Sequence, residues 1–478
     1  MSRPAAGPRT IEAMPSSTTS RAQVEQSLAR IADVDALVRA VCTLDPTALE
    51  QADARDAEEP RGPLHGVPVL VKDNVDTAGL ATTAGSLALA GAEPPLRDAE
   101  LVRRLRAAGM VVLGKTNLSE WANFRDGEST SGWSAYGGLT RNPYGLNRSP
   151  GGSSSGSGAA VAAGLAGLAV GTETDGSITS PAAFNGCVGL KPTVGSVPTS
   201  GVVPISSSQD APGALASTVA GAAALLDVLT GGDSLTVAAA SGGLVGRRIG
   251  VPRAPWWGYS RHADAAGEEA LRLLADAAAV LVDDVDLGEL ATYEADDELT
   301  VLLAEFRAEV RGYLATRTGA DVPRDLEELI AFNLRHADAE LAHFGQTIFE
   351  AALGAPGVDS TAYAEARARC VAVSRGGIDR ALAEHGLDAL LTPSYAPAPP
   401  IDLVNAEHSP GACTRPTAMA GYPLLTVPVH LAGGLPVAVS FWGTAGSEAT
   451  LVEVAAGFKA ARDRAIGPLP PPTFPVFV

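Results

Sequence analysis

The chain has 478 residues and a formal net charge of −19 at pH 7. This excess of carboxylates opposes binding to nucleic acid and to anionic membranes, so we expect no partner of either kind. No apolar run reaches the roughly 20 residues that a membrane-spanning helix needs. The four cysteines form neither a C-x-x-C pair nor a cluster with histidine, so we expect no metal, no cofactor and no disulfide framework.

The start of the chain is polar and lacks the apolar core of a secretory signal, so we expect a cytoplasmic protein. From Thr19 to about Cys42, apolar residues recur at helical spacing until Pro46 interrupts them. We therefore treat residues 1–60 as an N-terminal helical segment.

A strand, a helix and a second strand are predicted next. Pro63 to Val71 is an apolar strand that leads into Lys72, Ala99 to Ala108 is a helix, and Met110 to Leu113 is a strand. Alternation of this kind indicates an α/β architecture. Burial at the strand end would lower the pKa of Lys72 and make it a neutral amine base, although a lysine in such a place is more often solvated.

Two glycine-rich turns flank an apolar run. The first, 151–158, reads GGSSSGSG, and its glycines let the backbone approach a ligand closely. The run 159–170 predicts a buried helix capped by Ser154, Ser155 or Ser157. The second turn, 171–177, reads GTETDGS and offers consecutive backbone N–H groups, which suit an oxyanion.

This pattern suits a serine nucleophile, which needs a base to take its proton. None of the seven histidines lies in a motif that marks it as the partner of a serine. Lys72 is therefore the better candidate. A serine beside glycines is otherwise a loop residue or a helix cap in most proteins.

The ordered motifs resemble the amidase signature family, whose hydrolases use a Ser, cis-Ser, Lys triad. The lysine of the family's G-V-P-x-x-x-K-D motif matches Lys72, the first serine after the double glycine matches Ser153, and the nucleophile of G-T-x-T-x-G-S matches Ser177. Further stretches fit as well: GKTNLSE at 114–120, TRNPY at 140–144, GLKPT at 189–193, SQD at 208–210, AGYP at 420–423 and GLPV at 434–437.

The resemblance implies a central mixed β-sheet flanked by helices on both faces. Because motifs from both ends of the chain must share one site, we expect residues 61–478 to form a single domain. The family motifs are absent from about 244–376, where a short strand at 248–251 precedes long charged helices. We expect this variable, largely helical region to face the substrate.

The implied reaction is hydrolysis of a carboxamide C–N bond through an acyl-enzyme on Ser177, activated by Ser153 and Lys72, with release of ammonia or an amine. The backbone N–H groups of Thr174, Asp175, Gly176 and Ser177 would form the oxyanion hole. A carboxylate there would oppose the developing charge, so the Asp175 side chain should point away or form a hydrogen bond elsewhere.

Two supporting residues complete the predicted site. Ser154 is expected to cap or brace its turn, and Asp210 either supports the serine loop or forms a local turn. The expected ligand is a small-molecule or peptide amide. The sequence leaves a homodimer open.

Several functions stay open besides hydrolysis. The same acyl-enzyme could form an amide or ester if water is excluded, the chain could be the amidase component of an amidotransferase complex, or it could bind without catalysis. Many family members carry glycine and arginine where this chain has Asp175 and Thr179. This departure argues against the arginine-bearing subgroup that includes the catalytic subunit of the glutamyl-tRNA amidotransferase, and the motifs look closer to bacterial peptide amidases, which hydrolyse C-terminal amides.

Overall fold

A computed structural model describes residues 19–294 and 296–477, so the first 18 residues of the expected N-terminal segment lie outside it. The α-helices are α1 Ser20–Val38, α2 Ala48–Asp56, α3 Leu87–Ala90, α4 Glu100–Ala107, α5 Ser155–Ala162, α6 Thr179–Asn185, α7 Val219–Thr230, α8 Ser234–Ser241, α9 Arg261–Asp276, α10 Asp296–Leu314, α11 Leu326–Arg335, α12 Ala337–Glu340, α13 Thr347–Leu353, α14 Thr361–His385, α15 Arg415–Ala420 and α16 Glu448–Ile466. Short 3-10 helices span Glu120–Asn123 and Gly288–Thr292.

Eleven strands form one mixed sheet in the order β1-β3-β2-β6-β8-β7-β12-β13-β11-β9-β10, and β4 and β5 form a separate hairpin. The strands are β1 Val41–Leu44, β2 Pro68–Lys72, β3 Val111–Thr116, β4 Trp133–Ser134, β5 Gly138–Leu139, β6 Leu168–Glu173, β7 Val188–Lys191, β8 Ala211–Ala216, β9 Arg248–Val251, β10 Val280–Asp283, β11 Ala389–Pro393, β12 Leu424–Ala432 and β13 Leu435–Trp442.

Helices cover both faces of the sheet because alternate residues of its strands point to opposite sides. In β2, Val69 and Val71 pack into a core with α4, α7, α8, α9 and α16. The residue between them, Leu70, packs on the other face with α1, α2, α5 and α6. The central mixed sheet with helices on both faces, predicted from the sequence, is confirmed.

The parallel pairing of β2 with β6 brings two predicted motifs together. Leu70 is opposite Ala169, and Val71 is opposite Val170. The carboxyl ends of parallel neighbours meet at the same edge of a sheet, as in other α/β sites. Lys72 and the turn that follows β6 therefore lie side by side.

The N-terminal segment contributes a strand as well as helices, since β1 pairs antiparallel with β3 at one edge of the sheet. The region 244–376 contributes β9 and β10 at the opposite edge. Its helices α10, α11 and α13 form a separate apolar cluster with α3. Within the described residues, no helix is long and apolar enough to cross a membrane.

The helix predicted over 159–170 is wrong in extent and in its cap. Helix α5 ends at Ala162, residues 163–167 form a turn, and the run ends in the buried strand β6, which begins at Leu168. Gly164, at a φ of 71°, allows the chain to turn between them. Ser154 lies at the N-cap of α5 but makes no side-chain capping hydrogen bond.

Candidate active site

Lys72 ends β2 with its side chain fully buried. Its Nζ lies 2.8 Å from Ser153 Oγ and 2.9 Å from Thr172 Oγ1. Burial lowers the pKa of Lys72 to about 7, against the opposing charges of Asp210 and Glu173. A large fraction of this amine is therefore neutral at physiological pH and can accept a proton.

Two further lysines are buried, and their contacts differ from those of Lys72. Lys115 pairs with Asp73 at 3.0 Å and donates to the Val75 carbonyl at 2.7 Å. Lys191 donates to the Tyr422 carbonyl at 2.6 Å. Among these three buried lysines of the described chain, Lys72 alone contacts a serine hydroxyl.

The serine-rich turn carries Ser153, which is fully buried and follows a cis peptide bond after Gly152. The next residue, Ser154, bridges to β6 by its side chain. Its Oγ donates to the Thr172 carbonyl at 3.0 Å and accepts from the Thr172 N–H at 3.2 Å. These bonds fix the serine turn against the strand that leads to Ser177.

The turn that carries Ser177 is held by Glu173. One carboxylate oxygen, Oε2, accepts from the N–H groups of Ile178 at 2.7 Å and Thr179 at 2.8 Å. The same oxygen accepts from the Thr179 hydroxyl at 2.9 Å. The Ser154 N–H donates to the Ser177 carbonyl at 3.0 Å, which joins this turn to the serine-rich turn.

The four backbone N–H groups of residues 174–177 donate to no acceptor among the described residues. Ser177 is nearly buried, with 7% of its surface exposed. Buried N–H groups are almost always paired, so a run of four free donors beside a serine indicates a site for an acceptor from outside the chain. An oxyanion formed at this serine would supply one.

Asp210 contacts the same turn and braces a second one. Its Oδ1 accepts from the Thr174 hydroxyl at 2.5 Å, and its Oδ2 accepts from the N–H groups of Ile205 at 2.9 Å and Ser206 at 3.0 Å. Burial raises the pKa of Asp210 to about 6. The Asp210 carboxylate therefore joins the turn that carries Ser177 to the turn at Ile205 and Ser206.

Asp175 lies apart from the lysine, on the side of Thr414, Arg415 and Glu298. Burial raises the pKa of its carboxyl, and the nearby Thr414 hydroxyl and the charge of Arg415 oppose that rise in part. Its Oδ1 is buried without a hydrogen-bond partner in the described structure. The expectation that this carboxyl points away or forms a hydrogen bond elsewhere stays a prediction.

Sequence reasoning missed several residues of the site. Thr172 contacts Lys72, and Glu173 holds the turn that carries Ser177. Both stand in the GTETDGS motif, so adjacency to Ser177 was a usable signal. Glu298 approaches from α10, accepts from Gln209 Nε2 at 2.9 Å, and carried no signal in the sequence.

Comparisons with known proteins identify the family of this chain. A profile of the Amidase family matches residues 22–452. A probable amidase from Arabidopsis thaliana is 36% identical over 93% of this chain and 87% of its own length. A glutamyl-tRNA(Gln) amidotransferase subunit from Salinispora arenicola is 37% identical over 95% of this chain and 96% of its own length.

Solved structures match the whole fold. The native peptide amidase from Stenotrophomonas maltophilia superposes with a TM-score of 0.87 and is 46% identical, covering 96% of each chain. A complex of the peptide amidase PAM with the competitive inhibitor chymostatin superposes with a TM-score of 0.89 at 46% identity, again over 96% of each chain. The chain therefore belongs to the Amidase family and is an enzyme that hydrolyses amides.

Proposed function

We propose that this enzyme hydrolyses the C-terminal carboxamide of peptides, with Ser177 as nucleophile, Ser153 as proton relay and Lys72 as base. The observation that carries the proposal is the contact between Lys72 Nζ and Ser153 Oγ at 2.8 Å, in a site where burial lowers the lysine pKa to about 7. The family's hydrolytic activity and the likeness to a peptide amidase support the choice of substrate.

In the acylation step, neutral Lys72 takes the proton of Ser153 as Ser153 takes that of Ser177. The Ser177 oxygen bonds to the amide carbon, and the carbonyl π electrons move to oxygen. The N–H groups of residues 174–177 receive that oxyanion, each donor contributing roughly 3 kcal/mol in comparable sites.

The tetrahedral intermediate then collapses. The C–N bond breaks, and the proton held by Lys72 returns through Ser153 to the departing nitrogen, which leaves as ammonia. Water then attacks the acyl carbon while Ser153 and Lys72 take its proton, as they did in the acylation step. The bond between the acyl group and Ser177 breaks, the proton returns to the Ser177 oxygen, and the peptide acid is released.

Thr179 supports hydrolysis over the amidotransferase alternative. Its hydroxyl and N–H both bind Glu173, so the position that carries arginine in the other subgroup here serves to hold the nucleophile turn. The chain is nonetheless similar to amidotransferase subunits along its length.

The experiment is to incubate the purified enzyme with peptide amides, aryl amides and the matching free acids, and to follow ammonia or amine release together with the intact mass of the protein. We expect turnover of peptide amides and none of the free acids. An acyl adduct that clears only when an amine is added would contradict hydrolysis and favour acyl transfer.

Activity should depend on pH through the lysine. Below pH 7 the protonated form of Lys72 predominates and cannot accept a proton, so kcat/KM should fall about tenfold for each unit below that value and level off above it. A pH–rate profile of kcat/KM between pH 5 and 9 measures this. A flat profile across pH 7 would show that Lys72 is not the group whose ionisation limits the reaction.

A further inference from the structure

Asn74 follows Lys72 by two residues, and its side chain is almost wholly buried. Its Nδ2 donates to Thr172 Oγ1 at 3.0 Å. Lys72 Nζ donates to the same hydroxyl oxygen at 2.9 Å. The Asn74 amide is therefore joined to the lysine through one shared acceptor.

The main chain on both sides of the Asn74 side chain is fixed. The Asn74 carbonyl accepts from the Val203 N–H at 2.8 Å, and the next residue, Val75, forms an antiparallel bridge with Val202. Thr172 lies in β6, where it is opposite a residue of β8. Both partners of the contact between the amide and the hydroxyl thus stand on a fixed backbone.

Packing alone does not account for an asparagine at this place. Its Oδ1 is buried without a hydrogen-bond partner among the described residues. A buried acceptor that lacks a donor costs stability, and an apolar side chain would avoid that cost. The benefit that offsets it must come through Nδ2, whose partner is the Thr172 hydroxyl.

The direction of the lysine lone pair depends on that hydroxyl. A neutral lysine amine has two N–H groups and one lone pair. Lys72 Nζ lies 2.8 Å from Ser153 Oγ, 2.9 Å from Thr172 Oγ1 and 3.3 Å from the Thr172 carbonyl oxygen. The lone pair faces the Ser153 proton only when both N–H groups point to the two oxygens of Thr172.

A carbonyl oxygen always accepts, whereas a hydroxyl can accept twice and donate once. If the Thr172 proton turned toward Lys72, it would occupy the lone pair and block the base. With an Asn74 N–H on one lone pair of the hydroxyl and a Lys72 N–H on the other, the Thr172 proton points away from the amine.

We propose that Asn74 is a positioning residue whose amide fixes the Thr172 hydroxyl as an acceptor of a Lys72 N–H. The lone pair of the amine is thereby directed toward Ser153. This inference rests on the proposed function, in which Lys72 is the base, and deepens it by naming the residues that aim this base. It concerns the activation of Ser177 by any acylating reagent, so it can be tested without an amide substrate.

The first test is a double-mutant cycle, measured by the second-order rate constant for labelling of Ser177 by a fluorophosphonate. Asn74→Ala removes the amide, and Thr172→Val removes the hydroxyl but keeps the carbonyl that accepts from Lys72. We expect each variant to react about tenfold more slowly. The double variant should react no more slowly than Thr172→Val, because Asn74 acts through that hydroxyl.

Turnover of a peptide amide separates positioning from binding. In Asn74→Ala, kcat should fall by about tenfold while KM changes by less than about twofold, since no contact with the substrate is lost. An unchanged labelling rate constant in Asn74→Ala, or losses that multiply to about 100-fold in the double variant, would overturn the proposal.

The second test uses the charges around Lys72. Burial lowers the pKa of Lys72 to about 7, and the charges of Asp210, just before β8, and Glu173, in β6, oppose that shift. Asp73, the residue after the lysine, is paired with Lys115 at 3.0 Å. A further carboxylate close to the amine would favour its protonated form.

Asn74→Asp supplies that carboxylate without changing the shape of the side chain. Because Nδ2 of Asn74 and Nζ of Lys72 contact one oxygen, the new charge lies within roughly 6 Å of the amine. The pH at which labelling falls to half its plateau should rise by about one unit. An unmoved midpoint would overturn the proposal, and this variant decides alone if Asn74→Ala does not fold.

Asn333→Ala is the matched control. Asn333 is a buried asparagine of α11 whose Nδ2 donates to Gln346 Oε1 at 3.0 Å and whose Oδ1 also lacks a partner among the described residues. Its replacement should lower the thermal unfolding midpoint and leave the labelling rate constant near the wild-type value.

The inference and the proposed function fail in different ways. An additive cycle or an unmoved midpoint, in an enzyme that releases ammonia from peptide amides, would overturn the role of Asn74 and leave the proposed function intact. If wild-type enzyme released no ammonia from any peptide amide, the proposed function itself would fail.

Discussion

Ser177→Ala should lower kcat/KM for a peptide amide by about 10⁵-fold, because the atom that forms the acyl-enzyme is gone. Little structural loss is expected, since the backbone groups that hold this turn, including the Ser177 carbonyl bonded to the Ser154 N–H, remain. Ammonia release under steady-state conditions and covalent labelling by a fluorophosphonate measure the effect.

Ser154→Ala is the matched control for labelling. The Ser154 hydroxyl bonds to the backbone of Thr172 and reaches no catalytic side chain, so this variant should still be labelled. Full labelling of Ser177→Ala would mean that another residue is the nucleophile.

Lys72→Met should lower kcat by about 10³-fold or more, because a side chain of similar length then lacks the amine that accepts the Ser153 proton. The variant should stay folded, since Lys72 is wholly buried and an apolar replacement avoids burying a charge. Single-turnover kinetics and the thermal unfolding midpoint separate the two effects.

Lys459→Met tests whether the loss is specific. Lys459 pairs with Asp463 at the surface of α16, far along the chain from the serine turns, so its replacement should leave kcat near the wild-type value. Retention of activity in Lys72→Met would contradict the role of this lysine as base.

Much of the site could be predicted because its parts lie in short, ordered motifs. Lys72 ends a strand with a continuous apolar pattern, and Ser153 and Ser177 lie in glycine-rich turns whose sequence and order match the family's motifs. The parallel-strand rule then places the ends of β2 and β6 together, as the pairing of Val71 with Val170 shows.

The rest depends on contacts that no local pattern encodes. Strand β6 is buried throughout, so its apolar run cannot be told from a buried helix by periodicity. Glu298 and Arg415 lie near Asp175 but belong to helices more than one hundred residues away in sequence. Their electrostatic effect on the Asp175 carboxyl therefore arises only in the folded chain.

The assignment of the acyl-enzyme to Ser177 is tested most directly by acid quenching during turnover of a peptide ester, followed by digestion and mass mapping. We predict one acyl group on the peptide that contains Ser177, lost on further incubation with water. An adduct on any other residue, or complete turnover with no trapped acyl group at any quench time, would contradict the mechanism.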